Sequence, residues 1–330
     1  LGGNSDVGGL GYIVFSAPEG QKLFVMQNGE MMMNPDATLG GYATDSKGVR
    51  HMLLPDDWRS EGLRNGLRQE YNLNINGGTE AFQMYASLGY ISNQGLSYGS
   101  DFQRWSTRFK ADYQARKWLR TGASASFSRN LGNYMSGAFG VAHSIAPIYP
   151  LYIRDEQGNI MYDEHGKMYD YGDDFGANRS YANGGLIRPT YIQENPIQSD
   201  LLDVSRNDSN AFGIQGYADI TLLPGLKFTV NGSVYDTENR QTNAPNPYYG
   251  YYGITGSYTQ TYHYRTLTQN YQQLLNWNRT FGRHNIQTLV GHEYTRNDGT
   301  TLGASKSKFY SFDRNVELDG ALIKTSIEGN

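Results

Sequence analysis

Apolar and polar residues alternate with a period of two over eight segments, near 69–76, 81–91, 103–115, 118–130, 207–223, 226–238, 262–281 and 285–297. Successive side chains of a strand point to opposite faces, so this alternation predicts strands with one apolar and one wet face. In 103–115, Trp105, Thr107, Phe109, Ala111 and Tyr113 alternate with Arg104, Ser106, Arg108, Lys110 and Asp112. In 226–234, Leu226, Phe228, Val230, Gly232 and Val234 alternate with Lys227, Thr229, Asn231 and Ser233. A Pro and acidic residues open the stretch 55–66, which predicts a short helix ahead of the first clear strand.

The connections alternate in length. Gly77-Gly78-Thr79-Glu80, Arg116-Lys117, Pro224-Gly225 and Gly282-Arg283-His284 are tight reversals, and the links 92–102, 131–206 and 239–261 between them are longer. Up-and-down barrels of the outer membrane have this asymmetry, with short turns on the periplasmic side and long loops outside. Aromatic positions agree. Phe82, Tyr113, Trp118, Trp277 and Phe281 fall near the short turns and Tyr90, Trp105, Phe127, Phe212 and Tyr294 toward the other ends, which predicts two interfacial girdles. Within 131–206, residues 153–159 and 162–167 each carry an acidic pair and a Gly, as two successive hairpin tips would.

Composition supports an all-β antiparallel transmembrane barrel. The chain has 27 Tyr and 40 Gly among 330 residues, yet its mean hydropathy is −0.62: rings are plentiful in a polar chain. No apolar run is long enough for a transmembrane helix. A net charge of −4 leaves no basic field for nucleic acid, and the lack of Cys removes disulfides and thiolate chemistry. A chain opening on Leu1 without a charged and apolar leader is expected to be a segment of a longer polypeptide.

Three groups of segments resemble the SusC/RagA-like TonB-dependent outer-membrane transporters. They are Trp58 to Gly66, then Gln69 to Glu80 with Tyr85-Ala86-Ser87-Leu88-Gly89-Tyr90, then Gly95-Leu96 with 102–108, 117–122 and the acidic 169–172. The resemblance runs from about residue 50 to about 297, and 1–49 match more loosely. It implies a fragment of a barrel of about 22 strands closed by a plug. Residues 1–68 would be a plug-proximal segment and 69–330 part of the barrel, with the plug, the TonB-contacting box and a closing strand after Leu318 not recognisable. The resemblance further implies TonB-dependent import of oligosaccharides or peptides, with a SusD-like surface lipoprotein over the loops 131–206 and 239–261, TonB as energy source and outer-membrane lipid around the barrel. An all-β carbohydrate-binding module, soluble or surface-attached, is the alternative.

Candidate chemistry points to binding. Tyr149, Tyr152, Tyr248, Tyr249, Tyr251 and Tyr252 lie in the long links, where a ring can stack on a sugar or peptide while its hydroxyl reaches a polar group. Arg104, Arg108, Lys110, Asp112, Arg120 and Gln215 are expected to line the lumen. Asp173, Asp174 and Glu194 could be read as a glycosidase pair, but no nucleophile elbow, P-loop or metalloprotease helix accompanies them and no catalysis is expected. His143, His165, His263 and His284 have no ligand spacing, and the acidic stretches at Asp155 and Asp163 lack the oxygen pattern of a calcium loop, so neither a metal nor a cofactor is expected.

Overall fold

The computed structural model describes residues 41–44, 48–54, 56–135, 140, 145, 150–171 and 194–329. A small antiparallel pair, β1 (Gly41–Thr44) and β2 (Arg50–Leu53), precedes a one-turn helix, α1 (Trp58–Gly62). The Asp57 side chain caps α1, accepting from the Arg59 and Ser60 amides.

Nine strands then form one sheet: β3 (Arg68–Gly78), β4 (Phe82–Gln94), β5 (Asp101–Arg116), β6 (Leu119–Asn133), β9 (Val204–Leu223), β10 (Leu226–Ala244), β11 (Tyr258–Phe281), β12 (His284–Phe309) and β13 (Ala321–Gly329). Between β6 and β9 lie a two-residue hairpin, β7 (Tyr162–Asp163) and β8 (Gly166–Lys167), and the helix α2 (Pro196–Leu202); α3 (Gly250–Thr255) separates β10 from β11. Each sheet strand pairs antiparallel with its neighbour in chain order, so the sheet is an up-and-down meander. All eight expected strands are present. The sequence reading stopped them short: β10 continues to Ala244, β11 begins at Tyr258 and β12 continues to Phe309. A ninth strand, not among the eight expected, follows Leu318: β13 pairs with the upper part of β12 at the edge of the sheet. Polar Thr, Ser and Asn in these extensions blur the alternation, and only the pairing partner selects strand.

The turn at Pro224-Gly225 shows why this end of the sheet is tight. Gly225 has φ +83°, and a Cβ there would lie 2.2 Å from the Asn278 carbonyl oxygen of the neighbouring hairpin. The Asn278 amide donates to the Gly225 carbonyl at 2.7 Å.

Register brings apolar residues of neighbouring strands together on one face. Leu73 faces Leu88, Ala86 faces Phe109, Phe127 faces Phe212 and Leu275 faces Val290. Leu73, Phe109 and Val290 are 56%, 48% and 63% exposed. The most deeply buried large apolar side chains among the described residues, Leu151, Ile153 and Ile197, sit instead in the segments joining β6 to β9. A soluble protein does not leave so broad an apolar face in water; a bilayer covers it.

The aromatic belt near the loop end crosses the register obliquely. Tyr71, Tyr90 and Trp105 share one row, with ring centroids 6.4 Å and 4.2 Å apart. Followed across the sheet, that row reaches β12 at Thr300, whereas the belt on β11 and β12 is the stacked pair Tyr271 and Tyr294, six residues nearer the turns. Six residues at about 3.3 Å each, spread over seven strand spacings of about 4.8 Å, make a slope of about 30°. Strands inclined to the membrane normal produce such a drift, because the belt follows the membrane plane and not the hydrogen-bond rows.

Candidate functional site at the loop end

Asp56 organises the segment that joins β6 to β9. Its carboxylate receives Nη1 and Nη2 of Arg154 at 2.9 and 2.5 Å and the Leu151 and Tyr152 amides at 2.7 and 3.3 Å, with both side chains of the ion pair about nine-tenths covered. His51 Nδ1 lies 2.7 Å from the Arg154 carbonyl oxygen and Arg50 pairs with Glu156 at 3.2 Å. The anchored segment folds as three short antiparallel passes, through Ile153 to Met168, Met161 to Ile153 and Met168 to Met161 hydrogen bonds. Both expected hairpin tips are present. Asp155 closes the first by accepting from the Gln157 and Asn159 amides and Asn159 Nδ2, which also holds its carboxyl below the usual range.

A second set of contacts joins this segment to the β10–β11 link. Asn246 donates its amide and Nδ2 to Asp203 at 2.8 and 2.7 Å, and its Oδ1 accepts the Tyr248 and Tyr249 amides. The Tyr249 hydroxyl donates to Asp163 and the Tyr248 hydroxyl to Asp313 at 2.8 Å, while His165 stacks on Tyr248 with ring centroids 3.8 Å apart. Burial, aided by Asp313, pushes the Tyr248 phenol up to about 12. Burial and the Tyr258 contact do the same for Tyr252, up to about 12. Burial also raises the Asp203 carboxyl, although the Asn246 bonds oppose this.

Between these loops opens a cavity of about 750 Å³, with Tyr134, Tyr171, Tyr249, Tyr251 and Tyr252 on its walls beside Glu194, Asp200 and Asp203. Ser97 donates to Asp200 at 2.8 Å and Tyr171 to Gln198 at 2.5 Å, so several of these groups are already held. Of the tyrosines singled out from sequence, Tyr249, Tyr251 and Tyr252 reach this cavity. Tyr248 belongs to the stack beside it. Tyr152 is buried, donates to Glu61 at 2.5 Å and receives Lys167 Nζ at 3.2 Å. Tyr149, Asp173, Asp174 and His143 lie outside the described residues. Glu194 is on the cavity wall with two carboxylates that sequence reading did not single out, Asp200 and Asp203; they sit within and just after α2, a helix that reading left inside a link.

The charged residues expected along the lumen share the polar face of the sheet. Asp112 binds Lys110 at 3.1 Å and the Tyr217 hydroxyl at 2.5 Å, with Arg120 at 3.8 Å, and Gln215 accepts from Tyr235 at 3.1 Å. Arg104 and Arg108 follow on the same face of β5. Tyr217 reaches Asp112 because Gly122 stands between them in register: a Cβ on Gly122 would lie 2.4 Å from the Tyr217 ring. Tyr217 was missed from sequence, where it is one of 27 Tyr and only the register shows what it faces.

No family model matches the chain. It is 25% identical over 275 residues to a TonB-dependent receptor, P39, of Formosa agariphila, covering 81% of this chain and 23% of that protein. To the TonB-dependent receptor SusC of Bacteroides thetaiotaomicron it is 25% identical over 250 residues, 72% of this chain and 24% of SusC. The chain is similar to SusC/RagA-like TonB-dependent receptors. It spans about a quarter of the length of these relatives. The fold of this receptor segment is that of the RagAB peptide transporter, with a TM-score of 0.65 at 21% identity over 84% of this chain and 30% of that one. The RagAB peptide importer in its open-open state gives 0.63 at 20% identity, over 87% and 30%. The segment is therefore part of an outer-membrane β-barrel, and the apolar face of its sheet faces lipid. The reading as a soluble carbohydrate-binding module fails on that exposed face. No described helix is long and apolar enough to cross a membrane, which says nothing of strands.

Proposed function

We propose that the parent protein imports oligosaccharides or peptides across the outer membrane, driven by TonB, and that this segment supplies part of its wall and of its external binding surface. The observation that carries the reading is the tyrosine- and carboxylate-lined cavity built by the loops of a lipid-facing sheet. Tyr249, Tyr251 and Tyr252 present rings for sugar or peptide surfaces, and Tyr251, at 52% exposure, is the most accessible of the three. Arg104, Arg108, Lys110, Asp112, Arg120 and Gln215 line the lumen and meet a plug supplied by another part of the parent. In this reading residues 69–330 are barrel and external loops. Ahead of β3, Arg64 pairs with Asp101 at 2.8 Å and Asp56 holds Arg154 of the β6–β9 link. A surface lipoprotein caps the loops. Tyr152 and Tyr248 act here as supports for the loop cluster.

The test is uptake of labelled oligosaccharides and peptides by cells carrying the full-length receptor, with and without TonB. Uptake of one class that requires both supports the reading; equal uptake in cells lacking the receptor refutes it. Mild-detergent extraction should bring a lipoprotein down with the receptor.

A further inference from the structure

The two ends of the lipid-facing surface differ in charge. At the loop end several of its ions are matched: Arg265 binds Asp236 at 2.6 Å with Glu238 at 4.0 Å, and Arg296 binds Asp298 at 2.8 Å, although Arg129, opposite Trp105, forms no ion pair among the described residues. At the turn end they are not. Arg116 and Lys117 at the β5–β6 turn, and Arg279 and Arg283 at the β11–β12 turn, are exposed and form no ion pair among the described residues. Glu80 is the one carboxylate among the residues of the four short turns, on the distant β3–β4 turn.

Both basic pairs stand beside rings at the rim of the apolar surface. Arg279 faces Ile286 in register, on the apolar side, and its guanidinium lies 5.3 Å from the centre of the Phe281 ring, itself 6.0 Å from Trp277. Trp118, 53% exposed, follows Lys117 directly, and Arg116 pairs with Leu119. The apolar Leu222 and Leu223, at the end of the strand before Gly225, separate the two pairs. Rings at a membrane interface set the headgroup level, and basic side chains beside them reach lipid phosphates while their stems remain in the apolar layer.

We infer that the short-turn rim of this barrel segment binds the phosphate headgroups of anionic phospholipid in the adjoining leaflet, through Arg116 and Lys117 at one turn and Arg279 and Arg283 at another. Charge complementarity selects the occupant: a basic residue near an anionic bilayer surface favours binding about five-fold, whereas an uncharged lipid leaves four cations unmatched.

Full-length receptor in nanodiscs of phosphatidylethanolamine with a minor fraction of phosphatidylglycerol tests this by native mass spectrometry of the lipids that remain bound. Wild type should retain phosphatidylglycerol above its share. Pairwise variants, R116Q/K117Q and R279Q/R283Q, each keep half the rim and should each lower that enrichment several-fold, whereas R265Q/R296Q at the loop end should not. Equal enrichment in all variants overturns the inference, as does loss of bound lipid on adding millimolar inorganic phosphate, which would mark a simple anion patch. Heat-modifiable migration confirms insertion of each variant. Uptake plays no part in the readout, so failure here leaves the import reading standing.

Discussion

Arg154 and Asp56, ninety-eight residues apart, form a two-pronged ion pair that is almost wholly covered and binds the β6–β9 link to the chain ahead of β3. The same carboxylate holds the Leu151 and Tyr152 amides, so losing the pair would also release the start of the folded segment. Removing one partner of a covered ion pair strands the other charge, at a cost of about 3–5 kcal/mol. Arg154→Met is expected to loosen residues 150–171 while the barrel stays assembled. Limited proteolysis of whole cells should then cut within that stretch, and an unchanged digestion pattern would show that Asp56 is satisfied in some other way.

The two faces of β5 should respond differently. Phe109→Arg puts a charge into lipid, costing about 2–4 kcal/mol near the bilayer centre, whereas Arg108→Ala alters only the wet face. Phe109→Arg is therefore expected to lower the amount of heat-modifiable receptor in outer membranes, with Arg108→Ala near wild type. Equal assembly of the two would reverse the face assignment.

Gly122 and Tyr217 are expected to couple. A side chain on Gly122 must displace the ring that reaches Asp112, so Gly122→Val should destabilise the segment by about 1–3 kcal/mol. Much of that loss should vanish when Tyr217 is already Ala. Thermal unfolding of the four members of the cycle measures the interaction, and additive effects would mean that the ring does not occupy the groove over Gly122.

Asp203 gives the loop cluster a pH dependence whose sign follows from burial. Its folded carboxyl titrates above the unfolded value, so the ionised form weakens the folded link at neutral pH. That penalty is relieved as pH falls through the raised value toward about 4. Asp203→Asn keeps an acceptor for Asn246 and removes the charge. Hydrogen exchange at Tyr248 to Gly253 in the full-length receptor should slow, relative to its intrinsic rate, as wild type is acidified over that window. The variant should show the slower exchange throughout, and an acid-induced loosening in wild type would contradict the sign.

Tyr251 is the cavity residue whose loss should touch the ligand most and the fold least. It is half exposed, whereas Tyr249 is buried and donates to Asp163. Tyr251→Ala is expected to weaken ligand binding about ten-fold, in the range of a lost aromatic contact, with receptor abundance unchanged. Titration of the imported oligosaccharide or peptide onto purified receptor measures it.

The strands were legible because their cause is local. Trp105 to Tyr113 on β5 and Leu226 to Val234 on β10 alternate strictly, and short Gly or Pro turns fix which strands neighbour one another. Where the outer reaches of β10, β11 and β12 are rich in Thr, Ser, Asn and Gln on both faces, the alternation fades and the reading stopped early; β13 was missed with the stretch of β12 that it pairs with. The site was less legible. The loop tyrosines were visible as rings in long links, but the ring sequence that favours binding is equally the ring sequence that packs, and Tyr152 is buried and bonded to Glu61.

By itself, then, the sequence determined the alternating faces, the short turns and the aromatic levels, since each depends on neighbours a few residues away or on the solvent a face must meet. Tertiary structure alone decided that Arg154 reaches Asp56, that Tyr217 crosses Gly122 to Asp112, and that Asp200 and Asp203 join Tyr249, Tyr251 and Tyr252 around one cavity. Those relationships depend on strand register and on how distant links fold over one another, and residue type carries no record of the partner it will meet.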